Sequence, residues 1–524
     1  MRHLDLRFWL AAGLGAVLLV TAQCASAPPA ALPARTDASV LYDLSDIRTV
    51  VVLYMENRSF DMLYGSFPGA EGIPPADRIL PQVDRDGSVL RELPPVWNGL
   101  TSRSIEPAIT EAETAHLANA PFTIDDPDGF NAALSVPTRD LVHRFYQNQM
   151  QINSGRNDRF AAYSDAGALA MGHYDGSNLP MRALAREFTL ADHFFMGAFG
   201  GSFLNHIYLI CACVPYYPNA DTNPASPSIA VVDPDGVSLT LAPTSPASAL
   251  DGPPKYVRDG NLTPDFYAVN TMEPPYQPSR NAPAPDGDPA FADPSKPTTL
   301  PPQTARTVGD LLSEKGVSWA WYGGAWQATL DRHHEPLEVE FTYHHQPFNY
   351  FSSLAPGTAA RDEHLRDGGV AGQKFLEDID AGRLPQVAFY KPQSSLNEHP
   401  GNTDVLSGDT HAAEIIDHLR RGPQWEHMLI VVTYDENGGE WDHVAPPKGD
   451  RWGPGTRIPA IIISPYARRG HVDHTTYDTA SILRFLTRRF DLPTLPGIAM
   501  RDDAFRANGH VPPGDLTAAL NMAR

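Results

Sequence analysis

The sequence has little cysteine, comparatively little positive charge and few long apolar runs. Three cysteines in 524 residues exclude the disulfide framework that holds many small secreted domains together. Forty Lys and Arg residues against 62 Asp and Glu residues give a net charge of −22, which argues against the clustered basic surface of a nucleic-acid binder. Beyond residue 27, no stretch approaches the length of a membrane-spanning helix. We therefore expect a large folded core, no nucleic-acid partner and no transmembrane segment in the mature chain.

The amino terminus is typical of an export signal. Arg2 and Arg7 precede or flank an apolar run over residues 8–20, and small residues follow that run. The run is too short for a comfortable membrane span. We therefore predict a signal peptide over residues 1–27, then a flexible leader over residues 28–45, and a mature protein that is periplasmic or secreted.

The cysteines of the mature chain are expected to stay outside disulfides. Lipid anchoring at Cys24 is a minor alternative, because Gln23 is not the small residue that usually precedes a lipidated cysteine. Cys211 and Cys213 remain in the mature chain, and a bridge between residues two apart would be strained. We predict two buried free thiols there, with a disulfide as the less favoured alternative.

Proline and glycine are abundant, at 50 and 40 residues, which indicates long ordered loops rather than a helical protein. The composition shifts to Pro, Asp, Ala and Ser in the middle of the chain. We therefore expect a catalytic α/β domain in two parts, 46–214 and 303–502, with a loop-rich insertion over 215–302 that could form a lid. A tail over 503–524 completes the chain.

Short runs rich in Val and Ile, bounded by turn-forming residues, predict the strands of a central sheet. Helical stretches are predicted over residues 138–150, 179–192, 307–315 and 409–421. Strand and helix in alternation indicate a mostly parallel sheet with helices on both faces. The apolar runs that carry this prediction cover residues 50–55, 386–390, 428–434 and 458–463.

Polar side chains follow two of these predicted strands. Glu56 and Asn57 follow the first run, and Asp435 and Glu436 follow the third. Open α/β sheets bind ligands at the carboxyl ends of their strands. This would place three carboxylates and an amide in one crevice, where the carboxylates repel one another. A divalent cation (Ca²⁺, Mg²⁺, Mn²⁺ or Zn²⁺) bound to all four groups would remove that repulsion. The alternative is a solvated strand-to-helix loop in which Asn57 or Ser59 caps the helix.

Ser202 is the candidate nucleophile. It follows two glycines and precedes an apolar helical run over residues 203–210. A serine at a helix amino terminus meets N–H groups that favour an anion such as phosphate. The alternative is an ordinary helix-capping serine. The surrounding sequence lacks the GxSxG spacing of esterase-type hydrolases.

Four histidines near the predicted strand ends are candidates for binding phosphoryl oxygens and for protonating a leaving group. Isolated histidines are more often surface or core residues. His333 and His334, in the charged string DRHHEPLE, are expected to lie in a solvated loop. The four candidates are His143, His344, His345 and His399.

These motifs resemble a bacterial phosphoesterase family that joins phosphatidylcholine-type phospholipases C with acid phosphatases. They span most of the mature chain in the family's order. The resemblance rests on residues 56–61, Ser202 with Asn205, and residues 343–348, 397–400, 434–439 and 442–444.

The resemblance implies an alkaline-phosphatase-like α/β fold with one metal beside the nucleophile. In the family pattern, Glu56, Asn57, Asp435 and Glu436 hold that metal, and Ser202 attacks the phosphoester. The implied substrate is a small phosphorylated molecule, or a phospholipid headgroup in the phospholipase branch.

Three features favour the acid phosphatase branch. Ser202 stands where phospholipases usually carry threonine, and His344 and His345 form the paired histidines of the phosphatases. The chain also ends soon after its last predicted helix, near Asp502, without the extra carboxyl-terminal domains common in phospholipases. We therefore predict an exported acid phosphatase acting through a phosphoserine. The alternatives are a phospholipase C and a non-catalytic, cation-binding envelope protein.

Overall fold

A central sheet organises the part of the chain that the computed structural model describes, residues 42–331 and 340–522. Seven-residue runs of apolar and β-branched residues form its longest strands. The strands are β1 (Thr49–Met55), β2 (Phe122–Thr123), β3 (Gly172–His173), β4 (Thr189–Ala191), β5 (Phe194–Phe195), β6 (Trp319–Gly324), β7 (Leu365–Gly369), β8 (Val387–Lys391), β9 (Met428–Tyr434), β10 (Ala460–Ile463), β11 (His471–Asp473) and β12 (Tyr477–Asp478).

Eight of these strands form one sheet in the order β11-β4-β10-β9-β1-β8-β6-β7. Every pair is parallel except those of β10, which runs antiparallel to both β9 and β4. All residues of β1, β8, β9 and β10 are buried, so both faces of the sheet are covered. The predicted α/β class with a mostly parallel sheet is confirmed.

Helices occupy the connections between the strands. Two predicted helices differ from the structure. The helix predicted over 138–150 begins only at Phe145, because the preceding segment is extended and bonds to other parts of the chain. The helix predicted over 179–192 ends at Glu187, after which the chain joins the sheet. The helices are α1 (Phe60–Tyr64), α2 (Phe145–Ile152), α3 (Phe160–Tyr163), α4 (Pro180–Glu187), α5 (Ser202–Cys211), α6 (Val308–Glu314), α7 (Trp326–Asp331), α8 (Ala359–His364), α9 (Gln373–Asp380), α10 (Val405–Arg421), α11 (Ala480–Phe490) and α12 (Pro496–Ala507).

The loop-rich region 215–302 consists of isolated β-bridges and short 3-10 turns. It bonds to the rest of the chain, since the Phe145 N–H donates to Asn270 Oδ1 at 3.0 Å. Its role as a lid stays a prediction. At the carboxyl end, the predicted boundary after residue 502 falls inside α12, which continues to Ala507.

The prediction of free thiols is wrong, because Cys211 and Cys213 form a disulfide. Ala212 between them adopts the left-handed conformation (φ 48°), and the two Cα atoms come within 5.1 Å, a distance that a disulfide can span. The predicted signal peptide, most of the leader, Cys24, and the pair at 333–334 lie outside the described residues. Within those residues, no helix is both long and apolar enough to cross a membrane.

Candidate active site

The turn after β1 directs Glu56 and Asn57 toward the carboxyl edge of the sheet. Asn57 adopts a left-handed conformation (φ 54°), and its N–H donates to Asp435 Oδ1 at 3.0 Å. Arg58 turns away and forms a buried ion pair with Glu440 at 2.8 Å. The turn is therefore fixed by buried hydrogen bonds and an ion pair.

Strand register brings the second acidic pair to the same place. β1 and β9 are parallel neighbours in which Met55 lies opposite Tyr434, so the residues that follow each strand emerge side by side. The Glu436 N–H donates to the Asp435 carboxylate at 2.8 Å. Glu56, Asp435 and Glu436 are all fully buried. The sheet therefore gathers the three carboxylates that the sequence predicted to converge.

Ser202 is the first residue of α5, and two glycines allow another segment to pass close to it. Gly200 has φ 91°, and a Cβ there would lie 2.4 Å from the backbone nitrogen of Phe145. A Cβ on Gly201 would lie 2.6 Å from the carbonyl oxygen of His143. Since no side chain fits at either position, the glycines permit the approach that places His143 beside Ser202.

The Ser202 hydroxyl lies among the predicted metal ligands. Its Oγ is 3.3 Å from each of three oxygens, Glu56 Oε2, Asn57 Oδ1 and Glu436 Oε1. These carboxylate and amide oxygens are ligands that hard divalent cations prefer. A cation bound among them would neighbour the serine oxygen.

The charges of the site also fit a cation. Burial, followed by the charge of Glu56, raises the pKa of Asp435 to about 6. Burial and the charge of Asp435 raise the pKa of Glu436 well above its usual value. Asp435 Oδ2 is buried and has no hydrogen-bond partner among the described residues. A divalent cation would satisfy this oxygen and offset the repulsion.

Glu56 differs from the other two carboxylates because an ammonium group and an imidazole ring contact it. Burial alone would raise its pKa, but His345 and Lys391 outweigh burial and hold the pKa well below its usual value. His345 Nε2 lies 2.9 Å from Glu56 Oε1, and the Lys391 ammonium pairs with the same oxygen. Glu56 is therefore negatively charged in the folded protein.

Lys391 and His206 are site residues that sequence reasoning missed. His206 lies one turn after Ser202 on α5, its Nδ1 is 2.8 Å from the Ser202 carbonyl oxygen, and its ring stacks on His345 with centroids 5.0 Å apart. Glu56, His206 and His345 bring one ligand atom each within 4.8 Å of one another. A histidine within the apolar run SFLNHIYLIC was the available signal for His206, whereas Lys391 resembles an ordinary strand end.

Asp435 and Glu436 lie outside the group formed by Glu56, His206 and His345. They also lie outside the two other groups of potential metal ligands found among the described residues. Those two are Asp140–His143–His399 and Asp61–Asp442–His443. Asp435 and Glu436 instead approach the α5 residues His206 and Ser202, at 3.6 and 3.3 Å respectively. The described residues therefore include several groups able to hold a cation.

His143 and His399 flank Asn57. Their Nε2 atoms lie 3.3 and 3.1 Å from Asn57 Nδ2. The Nδ1 atom of each ring lies 2.6 Å from a backbone carbonyl oxygen, that of Leu141 or Pro400, to which an Nδ1–H donates. With Nδ1 protonated, Nε2 of each ring accepts a hydrogen bond from the Asn57 side-chain NH₂ group. The Asn57 side-chain oxygen then faces Ser202.

The predicted histidines border one cleft of about 360 Å³. His344 and His345 lie on its wall; burial lowers the pKa of His345 to about 4 and that of His344 well below its usual value. Asn270 and Thr271, from the loop-rich region, line another part. The cleft therefore brings together Ser202, Glu56 and all four predicted histidines.

The fold and this site are those of an α/β hydrolytic enzyme in which a serine lies beside a cluster of carboxylate and amide oxygens. The chain belongs to the phosphoesterase family, whose sequence model matches residues 47–493. It is a hydrolase that acts on phosphoric ester bonds.

Curated relatives extend over most of the chain. Phospholipase C A of Mycobacterium tuberculosis (strain ATCC 25618 / H37Rv) is 25% identical over 517 aligned positions, which cover 92% of this chain and 78% of that protein. Non-hemolytic phospholipase C of Pseudomonas aeruginosa is 24% identical over 555 positions, which cover 98% of this chain and 63% of that protein.

Among solved structures, this chain is similar to a protein in the alkaline phosphatase superfamily from Vibrio parahaemolyticus. The alignment covers 69% of this chain and 67% of that protein. The two are 12% identical, with a TM-score of 0.30.

Proposed function

We propose that this phosphoesterase is an exported phosphomonoesterase that forms a phosphoserine at Ser202. The observation that carries the proposal is the position of Ser202 Oγ, 3.3 Å from Glu56, Asn57 and Glu436 at the start of α5. A nucleophile there can attack phosphorus while backbone N–H groups of the helix terminus favour the phosphoryl oxygens.

One divalent cation is part of this proposal, with Glu56, Asn57, Asp435 and Glu436 as its ligands. When bound, it supplies positive charge that lowers the cost of a serine alkoxide and of the phosphoryl charge. Ca²⁺, Mg²⁺, Mn²⁺ and Zn²⁺ all suit oxygen ligands.

His399 is the proposed general acid, with His143 in a matching position across Asn57. Ser202 gives up its hydroxyl proton to solvent as its oxygen forms a bond to phosphorus and the bond from phosphorus to the ester oxygen breaks. When the His399 ring is doubly protonated, its Nε2 no longer accepts from the Asn57 amide, and the Nε2–H gives its proton to the leaving ester oxygen. Water then attacks phosphorus, releases phosphate and regenerates the serine hydroxyl. His344 and His345 are less suited to donate a proton near neutral pH, because burial lowers the pKa of each.

Phospholipase C is the second candidate function. The curated relatives at 24–25% identity bear that name, and their alignments cover more than 90% of this chain. Its substrate would be a phosphodiester with a phospholipid headgroup. Export is supported by the apolar run at residues 8–20. A non-catalytic cation-binding protein is the remaining alternative.

The test replaces Ser202 with Ala and measures turnover of p-nitrophenyl phosphate and of p-nitrophenylphosphorylcholine. We expect a loss on the order of 10³-fold or more, since the nucleophile is removed. Ser177→Ala, in an exposed loop, is the matched control. Mass spectrometry of rapidly quenched enzyme should find phosphate on Ser202.

Three results would count against the proposal. Substantial activity in Ser202→Ala would exclude this nucleophile. Faster turnover of the phosphorylcholine diester than of the monoester would favour the phospholipase. No turnover of either ester, with cation binding intact, would favour the non-catalytic alternative.

A further inference from the structure

Lys391 places a buried ammonium group behind the proposed cation site. It is the last residue of β8, the strand beside β1, and its side chain is fully buried. Its Nζ pairs with Glu56 Oε1, donates to the Met55 carbonyl oxygen at 3.4 Å and lies 5.4 Å from the centre of the Tyr54 ring. The ammonium is therefore held by contacts on several sides.

The two oxygens of Glu56 have separate neighbours. Oε1 meets Lys391 and His345, whereas Oε2 lies 3.3 Å from the Ser202 hydroxyl. Lys391 does not line the cleft, whose described wall includes Ser202 and His345. A substrate in the cleft would therefore not touch the lysine, and any effect of Lys391 must pass through Glu56.

A charge count shows what this ammonium contributes. Glu56, Asp435 and Glu436 carry three negative charges when all are ionised, and a divalent cation adds two positive charges. The centre would then have a net charge of −1 and would repel a phosphate dianion. Lys391 brings the sum to zero.

We propose that Lys391 is a positioning residue that replaces a second cation on Glu56, limits the site to one cation and keeps it open to a dianionic phosphate. This inference rests on the proposed function, because it needs the cation beside Ser202. It predicts opposite effects on two ligands. Loss of the ammonium should strengthen cation binding and weaken phosphate binding, whereas general damage to the site would weaken both.

The experiment compares Lys391→Gln with Lys391→Arg, which keeps the positive charge. Calorimetry on the chelator-treated protein gives the affinity and stoichiometry for Mn²⁺, and a second titration of the Mn²⁺-loaded protein gives the affinity for inorganic phosphate. We expect Lys391→Gln to bind Mn²⁺ about ten-fold more tightly or with more than one ion, and phosphate about ten-fold more weakly. Lys391→Arg should stay close to the wild type.

Lys374→Gln, an exposed lysine on α9, controls for a change in overall charge and should alter neither affinity. Unchanged affinities in Lys391→Gln, or weakening of both, would overturn the inference. So would failure of Lys391→Gln to fold even with Mn²⁺ present, which would make Lys391 a structural partner of Glu56. If the wild type itself binds no Mn²⁺, it is the proposed function that fails.

Discussion

At the scale of single residues, the three residues that follow β1, Glu56–Asn57–Arg58, have two roles. The first two line the proposed active site, and the third stabilises the turn. Glu56 and Asn57 face Ser202, whereas Arg58 faces the interior. The Arg58 guanidinium bonds both the Glu440 carboxylate and the carbonyl oxygen of Glu398, each at 2.8 Å. Arg58 therefore links the turn after β1 to two other loops of the site.

We predict that Arg58→Met destabilises the fold by about 3–5 kcal/mol, because it leaves the Glu440 carboxylate buried without its partner. Chemical denaturation measures this difference. Arg421→Met is the matched control, since Arg421 forms an exposed pair with Asp417 on α10 and should cost less than about 1 kcal/mol. Equal losses in the two variants would show that Arg58 is not a support of the turn.

At the scale of elements, one helix caps another. The amino terminus of α4 has no side-chain cap of its own. Asp409, on α10, accepts a hydrogen bond from the Met181 N–H at 2.9 Å, while its second oxygen has no partner among the described residues. Burial raises the pKa of Asp409 to about 7. The folded protein therefore holds a proton that the unfolded chain releases at lower pH.

This difference predicts how stability depends on pH. An Asp with a folded pKa near 7 and an unfolded pKa near 3.9 costs stability as pH rises between these values, by up to about 4 kcal/mol. Asp409→Asn keeps the acceptor and removes this titration. Denaturation from pH 4.5 to 8 should show the variant gaining stability over the wild type as pH rises.

The control for this measurement is Asp417→Asn, on the exposed side of the same helix. Its stability relative to the wild type should stay nearly constant over the same pH range. A constant difference for Asp409→Asn as well would contradict the prediction.

The elements that the sequence predicted best are those with one dominant local signal. The apolar run 428–434 coincides with β9, and the following acidic pair marks its end. An apolar run does not reveal whether its strand runs parallel or antiparallel to its neighbours. The antiparallel orientation of β10 could therefore not be predicted from the sequence. The extended segment before α2 depends on distant partners such as Asp165, which periodicity along residues 138–150 does not reveal.

The site residues, too, could be predicted only where the local sequence carries a signal. Glu56 and Asp435 carry recognisable motifs at strand ends, and parallel strands bring such ends together. The sequence around Lys391 carries no signal of a site residue. Lys391 joins the site through its ion pair with Glu56, which follows the neighbouring strand β1. The Cys211–Cys213 disulfide depended on the backbone conformation of Ala212, which composition does not report.

At the scale of the whole molecule, the proposed cation would join segments that are far apart in the chain. Glu56 follows β1, Ser202 begins α5, and Asp435 follows β9. The three meet through packing of the two neighbouring strands and one helix, with fully buried carboxylates between them. A cation that binds only the folded protein should therefore stabilise the whole unit.

We predict that chelation lowers the thermal midpoint of the wild type and that one of Mg²⁺, Ca²⁺, Mn²⁺ or Zn²⁺ restores it. At a free concentration of 100 Kd, the stabilisation should be about 2.7 kcal/mol. Glu436→Gln keeps the shape of the side chain and removes its charge, so the variant should lose most of this cation-dependent shift. Differential scanning calorimetry measures both proteins with and without chelator. An unchanged wild-type midpoint, or an equal shift in Glu436→Gln, would show that no structural cation is bound among these carboxylates.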